Sequence, residues 1–102
     1  MTYNIPKKFM IGGQEIKVEL RKYLGEDGLL GVYKPFENKI IVATHLNGVE
    51  MHSQQVEQTF WHEYGHCLFR ACRKNELYVD EELVDLMGEF LYQSVGKKAQ
   101  WS

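Results

Sequence analysis

Two histidines and a glutamate near the middle of the chain have the types and the spacing of a metal-dependent hydrolytic site. Residues 62–66 read H-E-Y-G-H, an H-E-x-x-H pattern within a stretch of helical periodicity. Residues four apart on an α-helix lie one turn apart, so both imidazoles can reach one ion about 2 Å from each nitrogen. The pattern therefore predicts that His62 and His66 bind zinc.

Glu63 has a different predicted role because it lies about 100° around the helix from His62. At that angle it is too far away to be an equivalent ligand, but it can reach a water bound to the metal. Zinc lowers the pKa of such a water toward neutrality, and a neighbouring carboxylate can accept its proton and pass it to a leaving amine. Glu63 is therefore the predicted catalytic base of peptide-bond hydrolysis.

A catalytic zinc needs a third protein ligand and keeps its fourth position for water. No histidine follows His66, and His45 and His52, upstream of the predicted helix, are expected at the surface. The third ligand is therefore sought among the acidic residues of the second predicted helix. Periodicity alone does not separate Glu81 from Glu82 there.

Two helices are predicted to carry these residues. The first begins after an N-cap at Ser53 and ends near residues 73–75, with apolar residues at steps of three and four along one face. The second begins with a cap at Asp80, carries its own apolar stripe and stops at Gly96. These helices make up most of the second half of the chain.

Three short strands are predicted before residue 46. The first lies within residues 9–24, as a hairpin or as a strand that follows a turn at Gly12-Gly13, and the others are Leu29–Tyr33 and Lys39–Thr44. This order predicts one α+β domain over residues 1–102, with a three-stranded antiparallel-type sheet followed by two packed helices. The strand Lys39–Thr44 is expected to border the cleft as an edge that pairs with extended substrate.

Composition excludes several other classes of protein. The 102 residues are 44% hydrophobic and 25% charged, with a net charge of −2, and the basic residues form no stripe suited to nucleic acid. An apolar run long enough for a membrane span or a signal peptide is absent, so a cytoplasmic location is expected. Cys67 and Cys72 are five apart on a predicted helix, which disfavours a disulfide and favours free thiols packed in the core.

The segments Q-T-F-W-H-E-Y-G-H-C-L and D-E-E-L-V-D-L-M-G-E-F-L together resemble the gluzincins, metallopeptidases with an H-E-x-x-H motif and a glutamate ligand. The chain is especially similar to short phage- and prophage-encoded members and to the ImmA/IrrE-like group. The stretch G-V-Y-x-x-x-x-N-K-I-I-V also matches the strand that precedes the active-site helix in such proteins. The resemblance covers residues 31–95.

The resemblance implies a zinc peptidase that acts on a protein or peptide substrate inside a bacterial host cell and cleaves a regulatory protein during the life of a mobile element. It makes His62 and His66 ligands and Glu63 the base, and its alignment favours Glu82 as the third ligand. Against that alignment, Glu81 and Asp85 reproduce an E-x-x-x-D spacing in which the aspartate orients a ligating histidine. The competing interpretation is a latent or inactive zinc-stabilised protein-binding domain.

Overall fold

The computed structural model describes residues 3–25, 28–71 and 81–96. These residues form an α+β fold, as predicted, in which strands come first and two packed helices follow. Neither helix in these ranges is both long and apolar enough to cross a membrane. In chain order the elements are β1 (Lys8–Ile11), β2 (Gln14–Arg21), β3 (Gly31–Lys34), a 3₁₀ helix (Pro35–Glu37), β4 (Lys39–Ala43), β5 (His45–Leu46), β6 (Val49–Glu50), α1 (Ser53–Ala71) and α2 (Glu81–Ser94).

The main sheet has four strands in the order β1-β2-β4-β3 rather than the predicted three. The stretch within residues 9–24 forms a hairpin, because Gly12 and Gly13 adopt φ angles of 57° and 80° that suit a tight turn. The sheet is mixed, since β2 pairs parallel with β4 while β1–β2 and β3–β4 pair antiparallel. The predicted antiparallel-type sheet is therefore corrected at the β2–β4 pair, which joins strands distant in sequence.

The strand β4 lies inside the sheet, between β2 and β3. The prediction that this strand forms the edge at the cleft is therefore wrong, and β3 is the edge. The run Ile40-Ile41-Val42-Ala43 is almost completely buried, and an uninterrupted apolar run is typical of a strand covered on both faces. Its burial follows from the packing of α1 against one face of the sheet.

The helix α1 begins at Ser53, the residue predicted as its cap, so its actual cap lies one residue earlier. The carbonyl of His52 accepts hydrogen bonds from the backbone N–H groups of Gln55 and Val56 at 3.0 and 3.2 Å, and its imidazole Nδ1 accepts one from Gln54 at 3.1 Å. His52 is thus the N-cap, in place of Ser53. The imidazole satisfies one backbone donor that the helix itself cannot.

The buried face of α1 joins the sheet to α2. Val56 and Phe60 are fully buried among the residues of the central strands, and Phe9 of β1 packs edge-on against Phe60 with ring centroids 6.1 Å apart. Cys67 is buried in the same core as a free thiol, as predicted. Three other predictions concern residues outside the described ranges: the packing of Cys72, the end of the first helix at residues 73–75 and the cap at Asp80.

Glycines bring the two helices unusually close together. A Cβ atom added to Gly88 of α2 would lie 2.7 Å from the Cα of His62, and one added to Gly65 of α1 would lie 3.3 Å from a methyl of Val84. Val84 is fully buried at this contact. The contact therefore places α2 directly beside the part of α1 that carries the H-E-x-x-H pattern.

The segment before β1 ties the far end of α2 to the rest of the fold. The side-chain amide of Asn4 donates a hydrogen bond to the carbonyl of Gly96 at 2.9 Å, and its backbone N–H donates to the Glu57 carboxylate at 3.0 Å. The hydroxyl of Tyr3 donates to Glu50 at 2.6 Å. The helix α2 is thus positioned at its middle by the contact of Gly88 with α1 and just beyond its C-terminal end by this segment.

Candidate metal centre

The two histidines of α1 lie next to each other, as their spacing predicts. The ring centroids of His62 and His66 are 5.1 Å apart, with the planes at 75°. Their side chains are 23% and 12% exposed, so each ring has one side against the protein and one side open. The helix therefore presents two imidazoles to one small volume, as a shared ion requires.

The carboxylate that joins them belongs to Glu81, the first residue of α2. Its Oε2 lies 3.2 Å from Nε2 of His62, and its Oε1 lies 3.0 Å from Nε2 of His66. Ligand atoms from the three residues all fall within 4.8 Å of one another. Ligands of a tetrahedral zinc lie roughly 3.3 Å apart, so the three side chains need only small movements to hold such an ion.

Glu82 has a different position. It is exposed on the outer face of α2, beside Leu83 and Leu86, and it is not part of the group formed by His62 and His66 with Glu81. Consecutive helical residues point about 100° apart, so only one of the two glutamates can face the histidines. The structure brings Glu81, rather than Glu82, to this place.

The rotation of α2 explains why Glu81 faces inward. Glu81, Val84 and Gly88 follow one another at spacings of three and four, which places them on one side of a helix. Val84 and Gly88 are the residues that contact α1, so Glu81 is carried to the same side. The spacing of these three residues is visible in the sequence, but it predicts that Glu81 faces the histidines only if Gly88 is known to contact α1.

Asp85 adds a second carboxylate one turn after Glu81. Its Oδ1 lies 3.3 Å from Nδ1 of His62, on the opposite side of the ring from the nitrogen that faces Glu81. A carboxylate in this position fixes the tautomer and orientation of a ligating histidine, because it accepts the proton of the nitrogen that does not bind the metal. The Asp85 side chain is 80% exposed, so water competes for this hydrogen bond.

Glu63 is buried next to the histidines, with only 7% of its surface exposed. The pKa of its carboxyl is raised from the ordinary 4.5 to about 7, mainly by burial and also by the negative charge of Glu81, which together outweigh the lowering by His62 and by a hydrogen bond from the backbone of Tyr33. A carboxylate with a pKa near neutrality is suited to accept a proton and to return it. This environment is what the predicted role of catalytic base requires.

The edge strand β3 forms the opposite wall of the site. A cavity of about 460 Å³ lies between this strand and the side chains of His62, Glu63, His66 and Glu81. Gly31 makes the close approach possible, because a Cβ there would lie 2.7 Å from the methyl of Thr59 and 3.1 Å from the Glu63 carboxylate. The residues of the strand side are Leu29, Gly31, Val32 and Tyr33.

The other two histidines lie outside the cavity, in agreement with the sequence-based expectation. His45 contacts the hydroxyl of Thr44 at 2.7 Å and packs near the ring of Tyr23, and His52 caps α1. Neither lines the cavity between β3 and α1. The ligand set available there therefore consists of two imidazoles and the carboxylate of Glu81.

No protein-family model matches the chain, and neither a curated protein nor a solved structure matches it significantly. The candidate metal centre consequently stands on the geometry of its own residues.

Proposed function

We propose that this chain is a zinc-dependent hydrolase of peptide bonds, with His62, His66 and Glu81 as the metal ligands and Glu63 as the catalytic base. The observation that carries the proposal is the position of the Glu63 carboxylate. It is buried beside the His–His–Glu group and faces the same cavity, which the edge strand β3 closes on the other side. A metal site with a purely structural role needs no such carboxylate.

The donor set favours zinc among the common metals. Two imidazoles and one carboxylate form a ligand set found in catalytic zinc sites, which keep an open position for water. Hard cations such as Mg²⁺ prefer oxygen ligands only. When bound, zinc supplies Lewis acidity to a water and to the carbonyl of the substrate.

Glu63 moves the proton in the proposed reaction. Its carboxylate accepts a proton from the attacking water, and the same carboxyl then donates it to the nitrogen of the leaving amine. A hydrogen bond from the backbone of Tyr33 holds the carboxylate in place, and the missing side chain at Gly31 leaves room for it. Glu63 is therefore positioned by β3 as well as by its own helix.

Asp85 is proposed as a positioning residue that acts through His62. Its contact with Nδ1 directs Nε2 toward Glu81. The E-x-x-x-D spacing of Glu81 and Asp85 supports this assignment against the alignment that favoured Glu82, because it is the spacing of a glutamate ligand and an aspartate that orients a histidine. On this basis Glu81 replaces Glu82 as the proposed third ligand.

The edge strand β3 supplies a binding site for extended peptide. The carbonyl of Leu30 accepts a hydrogen bond from the backbone of Ala43 at 2.8 Å. Because hydrogen-bonding direction alternates along an antiparallel strand, the N–H and C=O of Gly31 point away from β4. A peptide added as a further strand would pair with Gly31, which places its backbone beside Glu63. The resemblance to the ImmA/IrrE-like group favours a bacterial regulatory protein as substrate.

The second candidate function is a zinc-stabilised binding domain that hydrolyses little. The observation that favours it is the origin of the ligands, since the histidines come from α1 and Glu81 comes from α2. An ion held by both helices would stabilise their packing whether or not hydrolysis takes place.

Comparison of the wild-type protein with Glu63→Gln separates the two functions. Both proteins should contain one zinc per chain, because Glu63 is not a ligand. Loaded with zinc, the wild type should cleave a denatured, alkylated protein, and Glu63→Gln should cleave it at least about 100-fold more slowly. If both proteins bind zinc and leave the substrate intact, the binding domain is correct. Purified protein with no stoichiometric zinc and no change in thermal stability on chelation would exclude both.

A further inference from the structure

Arg70 continues the row of functional residues along α1. It follows His66 by four residues, as His66 follows His62, so its Cα lies about 6 Å further along the same side of the helix. The side chain is exposed, and its guanidinium carbon lies 5.5 Å from the centre of the Phe36 ring. The ring, itself 94% exposed, holds the guanidinium by a cation–π contact.

The charge of Arg70 is not neutralised within the described part of the chain. No carboxylate in residues 3–25, 28–71 or 81–96 forms an ion pair with its guanidinium. Glu37, next to Phe36, pairs instead with Lys34 at 3.8 Å. A guanidinium that is held on an aromatic ring and has no anionic partner among the described residues is well suited to bind a carboxylate through two parallel hydrogen bonds.

The edge strand leads toward this arginine. Gly31 of β3 lies over Glu63, and Tyr33, two residues later, contacts Cys67 through its side chain. The strand β3 and the helix α1 therefore run in the same direction. The 3₁₀ helix that carries Phe36 follows directly after β3, so Arg70, which contacts Phe36, lies beyond the end of the strand. A second cavity of about 460 Å³ lies on the other side of Arg70, between the end of α1 and the β1–β2 hairpin, and residues of both line it, among them Ile11, Gly12, Gln14, Cys67, Arg70 and Ala71.

We propose that Arg70, held on the ring of Phe36, binds a carboxylate of the peptide substrate two to four residues from the bond beside Glu63, and so selects acidic substrates. The interval follows from the roughly 10 Å along the helix axis between Glu63 and Arg70, which are seven residues apart, and from a rise of about 3.3 Å per residue in an extended peptide; together they give about three residues, and the reach of the arginine side chain widens this to two to four. This inference rests on the proposed function, because it assumes that peptide lies along β3.

The carboxylate has two sources in a peptide, an acidic side chain or the free C-terminus. Both carboxylates would form the same hydrogen bonds with Arg70, and amidation of the peptide's C-terminus distinguishes between them. Amidation of the C-terminus removes the terminal carboxylate and leaves a glutamate side chain intact. A preference for the Glu over the Gln peptide that survives amidation assigns Arg70 to side-chain recognition, and tighter binding of the free than of the amidated peptide, for Glu and Gln alike, assigns it to the C-terminus.

The test measures binding rather than cleavage, on zinc-loaded Glu63→Gln, so that absence of turnover does not decide it. Fluorescent heptapeptides differing only by Glu, Gln or Lys at one position, each with a free or amidated C-terminus, are titrated and followed by anisotropy. At the selective position we expect the Glu peptide to bind about tenfold more tightly than the Gln peptide. In the double variant with Arg70→Gln, that preference should fall below about twofold, with zinc content unchanged.

Two further variants separate recognition by Arg70 from a general attraction to positive charge. Lys34→Gln removes a charge from the same strand end, where the lysine is already paired with Glu37, and it should keep the preference. Phe36→Leu removes the ring that holds the guanidinium and should reduce the preference in part. Equal binding of all the peptides, whether they carry Glu or Gln and a free or an amidated C-terminus, would overturn the inference, as would a preference that survives Arg70→Gln. Binding preference without cleavage by the wild type would refute hydrolysis and leave the acidic preference standing.

Discussion

Replacing Gly88 with alanine tests whether the contact between the helices builds the metal centre. The added Cβ would lie 2.7 Å from the Cα and 2.9 Å from the backbone nitrogen of His62. Ordinary van der Waals contact begins at 3.4 Å, so at least 0.7 Å of separation is required. Both opposing atoms belong to the backbone of a helix, so no side-chain rotation can provide it.

The expected cost combines two opposing effects. Overpacking of a tight contact costs about 1–3 kcal/mol, and the higher helix propensity of alanine returns about 1 kcal/mol. We expect Gly88→Ala to lower the free energy of unfolding of the metal-free protein by about 1 kcal/mol, which corresponds to a fall in Tm of roughly 4–8 °C. Urea unfolding with chelator present measures the first quantity, and thermal unfolding followed by circular dichroism measures the second.

Zinc affinity should change as well, because Glu81 moves with α2. Metal sites tolerate errors of about 0.2 Å in ligand distance, which is smaller than the required separation. We expect zinc affinity, measured by competition with a chromophoric chelator, to fall at least about tenfold. The matched control is Gly65→Ala, whose Cβ would lie 3.3 Å from a methyl of Val84, so that only about 0.1 Å of separation is required, and which should change stability and affinity much less than Gly88→Ala. If Gly88→Ala keeps wild-type stability and zinc affinity, the close contact does not position Glu81.

Three further results are expected. Glu81→Gln should weaken zinc binding severely and its neighbour Glu82→Gln should not, as zinc titration would measure; an equal loss in both would refute the assignment of the third ligand. Asp85→Asn should reduce zinc affinity about 10–100-fold while leaving the metal-free protein equally stable, and an unchanged affinity would remove its positioning role. In the metal-free protein, the pKa of Glu63 is about 7 against 4.5 when unfolded, so its stabilising contribution is complete below pH 4.5 and is lost as the pH rises through 7. The free energy of unfolding of the chelated wild type, measured in urea, should therefore fall by roughly 3 kcal/mol more between pH 4.5 and 8 than that of chelated Glu63→Gln. Parallel pH profiles for the two proteins would contradict the burial of this carboxyl.

The part of the site that lies on one helix was predictable from the sequence. The relative positions of His62, Glu63 and His66 depend only on helical geometry, which is local and regular. The α+β order of elements was equally readable, and so was the burial of Cys67. In each case residues close in the chain determine the outcome, so their spacing is sufficient.

Contacts between distant segments decided the remaining features. The edge of the sheet is β3 rather than β4, because pairing between β2 and β4 places β4 inside, and strand pairing over such a distance leaves no local signal. The choice of Glu81 over Glu82 depends on the rotation of α2, which is set where Gly88 meets the backbone of His62. The sequence by itself determined which residues of α1 can bind a metal and move a proton, since helical spacing is a local property. Only the packing of α2 and β3 against α1 decided which carboxylate completes the group and which strand closes the cavity.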